Sequence, residues 1–248
     1  MRILVFGSNG QVGSALVQCL AADVELVALT RAEVDVSDAA AVVRSIEEHQ
    51  PDFVINAAAY TAVDRAETEH DVAERVNAEA PGVMAAAARR AGAWLVHYST
   101  DYVFDGSAHT PYREGAPAAP LGVYGRSKLA GERAVRAASD MYLILRTSWV
   151  YSLQGHNFLN TVRRLAAERA ELRIVDDQWG SPTYAGDIAR ATAQLLRGAL
   201  RAPEHSGTYH LSAAGATTWC RFAAKIVATA GLDVRIVPIT TAEYPTAA

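Results

Sequence analysis

The stretch Arg2-Ile3-Leu4-Val5-Phe6-Gly7-Ser8-Asn9-Gly10-Gln11-Val12-Gly13 decides how the rest of the chain is read. A short apolar run passes directly into glycines at every third position, and helix formers follow from Gln11 to Ala22. The first such glycine permits a tight turn, the second lets backbone approach a pyrophosphate, and the third lets helix pack against strand. Free N–H groups and the positive end of the helix dipole then face the anion. The expected ligand is a dinucleotide, held by Gly7, Asn9, Gly10, Gln11, Val12 and Gly13.

Working outward, Arg2–Phe6, Val24–Leu29, Asp52–Asn56, Trp94–Tyr98 and Met141–Arg146 read as strands. Their apolar runs are continuous, the pattern of strands covered on both faces. Between them, Gln11–Ala22, Ala39–His49, Asp71–Ala91 and Ser127–Ala138 carry helix formers with apolar spacing near 3.6. Asp38 and Asp71 stand where N-caps are expected, and Gly92 as a helix stop. Such alternation predicts an α/β fold, a doubly wound parallel sheet with right-handed crossovers. It assigns residues 1–150 to the dinucleotide-binding domain and 151–248 to a smaller substrate-binding lobe, with 184–212 able to pack back on the first domain. In that lobe Phe158–Glu168, Ala185–Leu200 and Thr217–Ala230 read as helices, and Ile174-Val175 and Val234–Val237 as short strands. The Pro-, Gly- and Ala-rich segment Ser107–Pro120 is long for a connection and reads as a functional loop.

Composition removes several classes of function. Lys+Arg 23 against Asp+Glu 27 gives a net charge of −4, so bulk charge argues against nucleic acid or an anionic membrane as partner. No run approaches a membrane span, and the N-terminus lacks the layout of a secretion signal. Two cysteines, Cys19 and Cys220, support neither a disulfide framework nor a cysteine-rich zinc site, and read as buried reduced thiols in a cytoplasmic protein.

About twenty residues past the glycines the second strand ends in Thr30-Arg31. An acid at this place suits a ribose hydroxyl and an arginine a 2′-phosphate, so Arg31 favours NADPH, while Glu33 keeps NADH open. Asp35 can accept an adenine amino proton with Val36 over the ring, or serve as a turn residue. The third strand emerges as Asn56-Ala57-Ala58-Ala59-Tyr60-Thr61, small residues that let a cofactor lie against backbone, with a hydroxyl at Thr61.

Tyr124 and Lys128 are spaced for one face of a helix start. A phenol titrates near pH 10, and a neighbouring ammonium is expected to lower it toward neutrality while also binding the nicotinamide ribose. The fourth strand ends in Ser99-Thr100-Asp101-Tyr102-Val103-Phe104, at the sheet edge where ligands bind. Thr100 can donate to a substrate carbonyl while Tyr124 protonates the oxygen; Ser99 is the competing candidate, though adjacent strand residues point to opposite sides. Val103 and Phe104 join Asp101 as candidate substrate contacts.

In this order the glycine turn, Asn56–Thr61, Ser99–Phe104 and Tyr124-x-x-x-Lys128 resemble the extended short-chain dehydrogenases/reductases that act on nucleotide sugars. The stretches Thr61–Glu67, Asn77-Ala78, Arg146–Tyr151 and Asp177–Thr183 are similar to the dTDP-4-dehydrorhamnose reductase family among them. The resemblance implies a Rossmann-type fold and NADPH-dependent reduction of dTDP-4-dehydro-L-rhamnose to dTDP-L-rhamnose. It implies Thr100, Tyr124 and Lys128 as catalytic residues. Gly10, Gln11, Val12, Asp35, Val36, Ala59, Tyr60 and Thr61 become cofactor contacts, and Thr100, Asp101 and Trp149 sugar contacts. Family members continue past Glu243-Tyr244-Pro245-Thr246 into a segment that in some carries magnesium ligands at a dimer contact. No residue here matches those ligands, so no metal ligand is assigned and a homodimer stays an expectation. The rival enzymes are an epimerase or dehydratase of the same fold, although Tyr102 stands where a glutamate supports elimination. A non-catalytic regulatory subunit is the remaining alternative; such proteins often lack residues that are all present here. The Arg31 reading predicts that Arg31→Ala weakens NADPH more than NADH in a binding titration. Equal losses for both would remove the basis for preferring NADPH.

Overall fold

Alternation along the first strand, β1 (Arg2–Phe6), sends Ile3 and Val5 into one core and Leu4 and Phe6 into another, and all four are fully buried. The computed structural model that shows this describes residues 1–198 and 203–247. After β1 come α1 (Gln11–Leu20), β2 (Glu25–Leu29), α2 (Ala39–His49) and β3 (Phe53–Asn56). Then follow α3 (Val63–Ala66), α4 (His70–Glu74), a π-helical turn at Arg75–Glu79, α5 (Ala80–Arg90) and β4 (Trp94–Thr100). Next are α6 (Val123–Ala138), β5 (Tyr142–Thr147), β6 (Val150–Tyr151), α7 (Phe158–Glu168), β7 (Glu171–Val175), β8 (Trp179–Gly180) and β9 (Thr183–Tyr184). The chain continues through α8 (Ala185–Gly198), β10 (Gly207–His210), β11 (Thr217–Thr218), α9 (Trp219–Ala230) and β12 (Arg235–Ile239).

Among the described residues the main sheet has six strands, all parallel, in the order β10-β5-β4-β3-β1-β2. From β1 the chain steps outward to β2, then returns to β3 on the other side. Ligands of open α/β sheets bind at that reversal, outside the strands' carboxyl ends. One face is closed by α1 and α8, whose Leu16, Leu20, Ile188 and Ala193 meet Ile3 and Val5. The opposite face is closed by α2, α5 and α6 through Val42, Ile46, Met84 and Val135. A further core joins α7 and α9 to β7 and β12 through Val162, Leu172, Ala223 and Ile226. No helix among the described residues is long and apolar enough to cross a membrane.

Several local expectations need correction. The helix expected over Asp71–Ala91 is three pieces, with the π turn carrying Asn77 at its centre. Asp71 lies in the first turn of α4 and is not its cap, whereas Asp38 does cap α2, accepting from the Ala41 N–H at 3.0 Å. α6 starts at Val123, earlier than expected, so Tyr124 lies in its first turn. Thr217 and Thr218 pair with β8, and the Thr218 side chain caps α9. Cys19 is only half-buried; Cys220 is buried. The end of the helix expected over Ala185–Leu200 falls outside the described residues.

One buried charge cluster ties α6 to the sheet. Glu132 on α6 is fully buried and receives both arms of the Arg146 guanidinium from β5, at 2.8 and 2.7 Å. Ser99 of β4 donates to the same carboxylate at 2.6 Å, and Arg136 approaches within 3.2 Å. Burial pushes the Glu132 carboxyl up, but these partners outweigh it and hold it below its ordinary range. Removing one member of a buried pair strands the other charge. Glu132→Ala is therefore expected to lower stability by about 3–5 kcal/mol in urea unfolding. A loss below about 1 kcal/mol would place the pair among ordinary surface ion pairs.

Candidate active site

The glycine turn is built so that other residues do not fit. Gly7 has φ +75°, and a Cβ there would lie 2.7 Å from the Ala58 nitrogen. At Gly13 a Cβ would come within 2.1 Å of the Gly7 carbonyl oxygen, so α1 packs directly on the turn. Gly10 precedes α1, whose start carries no side-chain cap, and is exposed with Asn9. Gln11 Oε1 accepts from Asn157 at 2.8 Å and Ser152 at 3.1 Å, joining the turn to the segment before α7. Val12 packs partly against the core.

At the end of β2, Glu33 takes the Thr30 N–H and hydroxyl at 2.8 and 2.7 Å. Arg31 is 79% exposed and reaches Asp35 at 3.3 Å. Asp35 also accepts from the Ser37 N–H and hydroxyl, which hold its carboxyl below the usual range with help from Arg31. Arg31 and Asp35, expected to serve different parts of a cofactor, thus face one another. Val36 is turned into the core beside β1.

At the end of β3, Ala57 and Ala58 are half-buried while Ala59 and Thr61 are exposed. The Tyr60 backbone is clamped by Asn77 from the π turn. Its N–H donates to Asn77 Oδ1 at 2.9 Å, and its carbonyl accepts from Nδ2 at 3.0 Å. The same amide nitrogen donates to Ser127 of α6 at 3.1 Å. Gly131 lets α6 come this close, since a Cβ there would lie 2.1 Å from the Asn77 carbonyl. Glu67 accepts from the Val123 N–H at 2.6 Å, a long-range cap on the helix that carries Tyr124 and Lys128.

β4 delivers its two hydroxyls to different places. Ser99 points at Glu132, while Thr100 meets the Tyr124 phenol and donates to Asp101 Oδ1 at 3.1 Å. The Tyr102 ring stands edge-on to Tyr124 at 5.5 Å. Burial lifts the Asp101 carboxyl to about 6, against the pull of its Thr100 and backbone hydrogen bonds. Val103 is fully buried and Phe104 nearly so, packed around Leu129 with Phe104 stacked on Tyr112. Their side chains are committed to that cluster, which corrects the expectation that they face a substrate.

The relation between Tyr124 and Lys128 also differs from expectation. Burial raises the phenol's pKa, Asp101 and Tyr102 raise it further, and the Thr100 hydroxyl pulls the other way. The Lys128 ammonium has partners on β4. It is 2% exposed and donates to the Tyr98 carbonyl at 2.7 Å, with His97 Nε2 at 3.4 Å. Gly125 completes the approach of α6, since a Cβ there would lie 2.2 Å from the Tyr102 carbonyl oxygen. Trp149, at φ +46°, stacks on Trp219 with ring centroids 3.5 Å apart and lies against Gly180, so one indole face is covered by protein.

Residues 1–248 match the family described as RmlD substrate binding domain. A dTDP-4-dehydrorhamnose reductase of Burkholderia thailandensis is 49% identical, the alignment covering 99% of this chain and 86% of that protein. The one from Escherichia coli K12 is 43% identical over 100% of this chain and 86% of its own. This chain belongs to the dTDP-4-dehydrorhamnose reductase family. A crystal structure of the Bacillus anthracis reductase, in complex with NADP, superposes with a TM-score of 0.95 at 38% identity, covering 100% of this chain and 86% of that one. A Thermus thermophilus UDP-glucose 4-epimerase complexed with NAD shares the fold at TM-score 0.78 and 24% identity, covering 96% of this chain and 86% of its own. The fold therefore extends to epimerases, whereas the sequence likeness is to the reductase family.

Asn77, Ser127, Glu67 and Glu132 stand around the site, and sequence reasoning gave none of them a place in it. Asn77 had a signal in its motif, and Glu132 had one in its place one helical turn beyond Lys128. Asn77→Ala leaves both Tyr60 backbone groups without their side-chain partner, worth about 1–3 kcal/mol when buried. Hydrogen exchange at the Tyr60 amide is expected to accelerate at least about tenfold, the equivalent of ~1.4 kcal/mol.

Proposed function

We propose that this protein reduces dTDP-4-dehydro-L-rhamnose to dTDP-L-rhamnose using NADPH, with Tyr124, Thr100 and Lys128 as its catalytic residues. The observation that carries the reading is the meeting of Thr100 and Tyr124 at the carboxyl end of β4, with Lys128 one turn along α6. The glycine cradle fits a dinucleotide, because Gly7 and Gly13 leave no room for a Cβ and α1 begins there without a side-chain cap. Gly7, Asn9, Gly10, Gln11 and Gly13 hold the pyrophosphate. Thr30, Arg31 and Asp35 meet the adenosine end, and Ala57 to Thr61 lie along its length with Val12 and Val36 behind. When bound, the reduced nicotinamide supplies hydride to the sugar's C4 carbonyl.

The rest of the work falls to side chains of this chain. Thr100 donates a hydrogen bond to the carbonyl oxygen and orients it beside the phenol. Tyr124 gives that oxygen a proton; its raised pKa keeps the phenol protonated through the neutral range, so the acid is always loaded. Lys128 serves the nicotinamide ribose and supports reprotonation of the phenol. Asp101 accepts from a sugar hydroxyl when ionised, and Trp149 offers the part of its indole left free by Trp219 to the apolar side of the deoxysugar. Alignment and electrostatics are the protein's share of the rate.

The test is NADPH oxidation with enzymatically generated dTDP-4-dehydro-L-rhamnose, the product identified by mass and sugar configuration. Tyr124→Phe is expected to cut turnover by roughly 10²–10⁴-fold while NADPH still binds. Near-parental turnover would remove Tyr124 from the mechanism. Substrate conversion without net NADPH consumption would point to an epimerase.

A further inference from the structure

The chemistry above leaves one buried titratable group without a task, the imidazole of His97 in the middle of β4, which is entirely inaccessible to solvent. Its neighbours fix where its proton sits. The Ala58 N–H donates to Asn56 Oδ1 at 3.1 Å, so Asn56 turns its amide nitrogen toward His97 Nδ1, also at 3.1 Å. An amide nitrogen can only donate, which makes Nδ1 the acceptor. Burial and the Lys128 charge hold the imidazole's pKa well below its ordinary value, so the ring is neutral and its single proton lies on Nε2. Nε2 faces Lys128 Nζ across 3.4 Å, while Nζ donates to the Tyr98 carbonyl.

Two donors therefore oppose one another while Lys128 is an ammonium. The contact becomes a hydrogen bond only when Lys128 is an amine, whose lone pair can accept from Nε2–H. Hydrogen bonding to the neutral form disfavours the charged one. We propose that His97, oriented by Asn56 and the Ala58 N–H, is a positioning residue that presents a fixed N–H donor to Lys128 and so favours its uncharged amine. The proposal rests on the role given to Lys128 above.

The other groups around Lys128 define what His97 adds. Tyr124 and Glu132 flank it on α6, and β4 contributes His97 and the Tyr98 carbonyl. Arg146 on β5 is already engaged by Glu132, and Asn56 on β3 stands behind the imidazole. Burial brings Lys128 down to about 8, and the Glu132 carboxylate opposes that fall. His97 works on the same side as burial. It does not relay protons outward, because the group beyond it is the buried Asn56 amide, which has no titratable proton. The consequence for function is that His97 helps set the pH at which the lysine changes charge, and with it the alkaline limb of the reductase.

The chain itself supplies a clean probe. Lys128 and Lys225 are its only lysines, the first buried and the second exposed. This 248-residue chain, labelled with carbon-13 at lysine Cε, therefore gives two NMR signals to titrate. In His97→Phe the Lys128 midpoint is expected to rise by about one pH unit or more, a tenfold gain in proton affinity. His97→Gln, whose amide can present an N–H in the same direction, is expected to stay nearer the parent. Nitrogen-15 histidine spectra of the parent are expected to show Nδ1 bare and Nε2 protonated. An unshifted Lys128 titration in a folded His97→Phe protein, or the opposite tautomer in the parent, overturns the proposal. If His97→Phe does not fold, the parent's tautomer decides. Neither measurement needs substrate: an unmoved titration in an active reductase refutes only the role of His97, whereas a moved one in an inactive protein refutes only the reaction.

Discussion

A carboxylate with no access to solvent holds the working helix of this protein in place. Glu132 binds Arg146 through two hydrogen bonds and Ser99 through a third, so α6, β4 and β5 are pinned at one point. Such a cluster costs desolvation, and its yield is geometric: the helix can neither rotate nor slide without leaving buried charges unpaired. Lys128 lies one turn before Glu132 and Tyr124 one turn before that, so the same restraint sets where both stand. Glu67 at the helix start and Asn77 at its flank add fixed points, and Gly125 and Gly131 remove the side chains that would keep α6 away.

The other half of the site comes from the sheet's reversal at β1 and β3. Their carboxyl ends lie side by side, so the glycine turn and the Ala57–Thr61 stretch touch, with Gly7 packed against Ala58. That proximity continues inward. The Ala58 N–H that borders the turn also orients Asn56, and Asn56 orients His97 against Lys128. A backbone group beside the glycine turn is thus connected through two side chains to Lys128.

Much of this was legible without coordinates. The glycine spacing after β1 required a turn that only glycine can make, and both Gly7 and Gly13 prove to be sites where a Cβ would clash. Continuous apolar runs implied strands covered on both sides, and the alternation of Ile3 and Val5 with Leu4 and Phe6 fills two cores. The choice of Thr100 over Ser99 came from the family resemblance, because period-two alternation says that they diverge and not which one faces the phenol. Val103 and Phe104 misled for a related reason: adjacency to a ligand-binding edge does not reveal that a side chain has turned inward. The expected lowering of the Tyr124 pKa did not follow, because spacing predicts nearness of an ammonium, whereas burial dominates the phenol's surroundings.

By itself the order of residues determined the parallel α/β architecture, the glycine turn, the family and the candidate reactive groups. These are local matters of turn sterics, side-chain period and the residue types a reaction requires. Only the tertiary structure decided the strand order, the π turn that aims Asn77, the Glu132 cluster and the chain from Ala58 to Lys128. Each of those joins residues far apart in sequence, and contacts between distant segments depend on how whole elements pack.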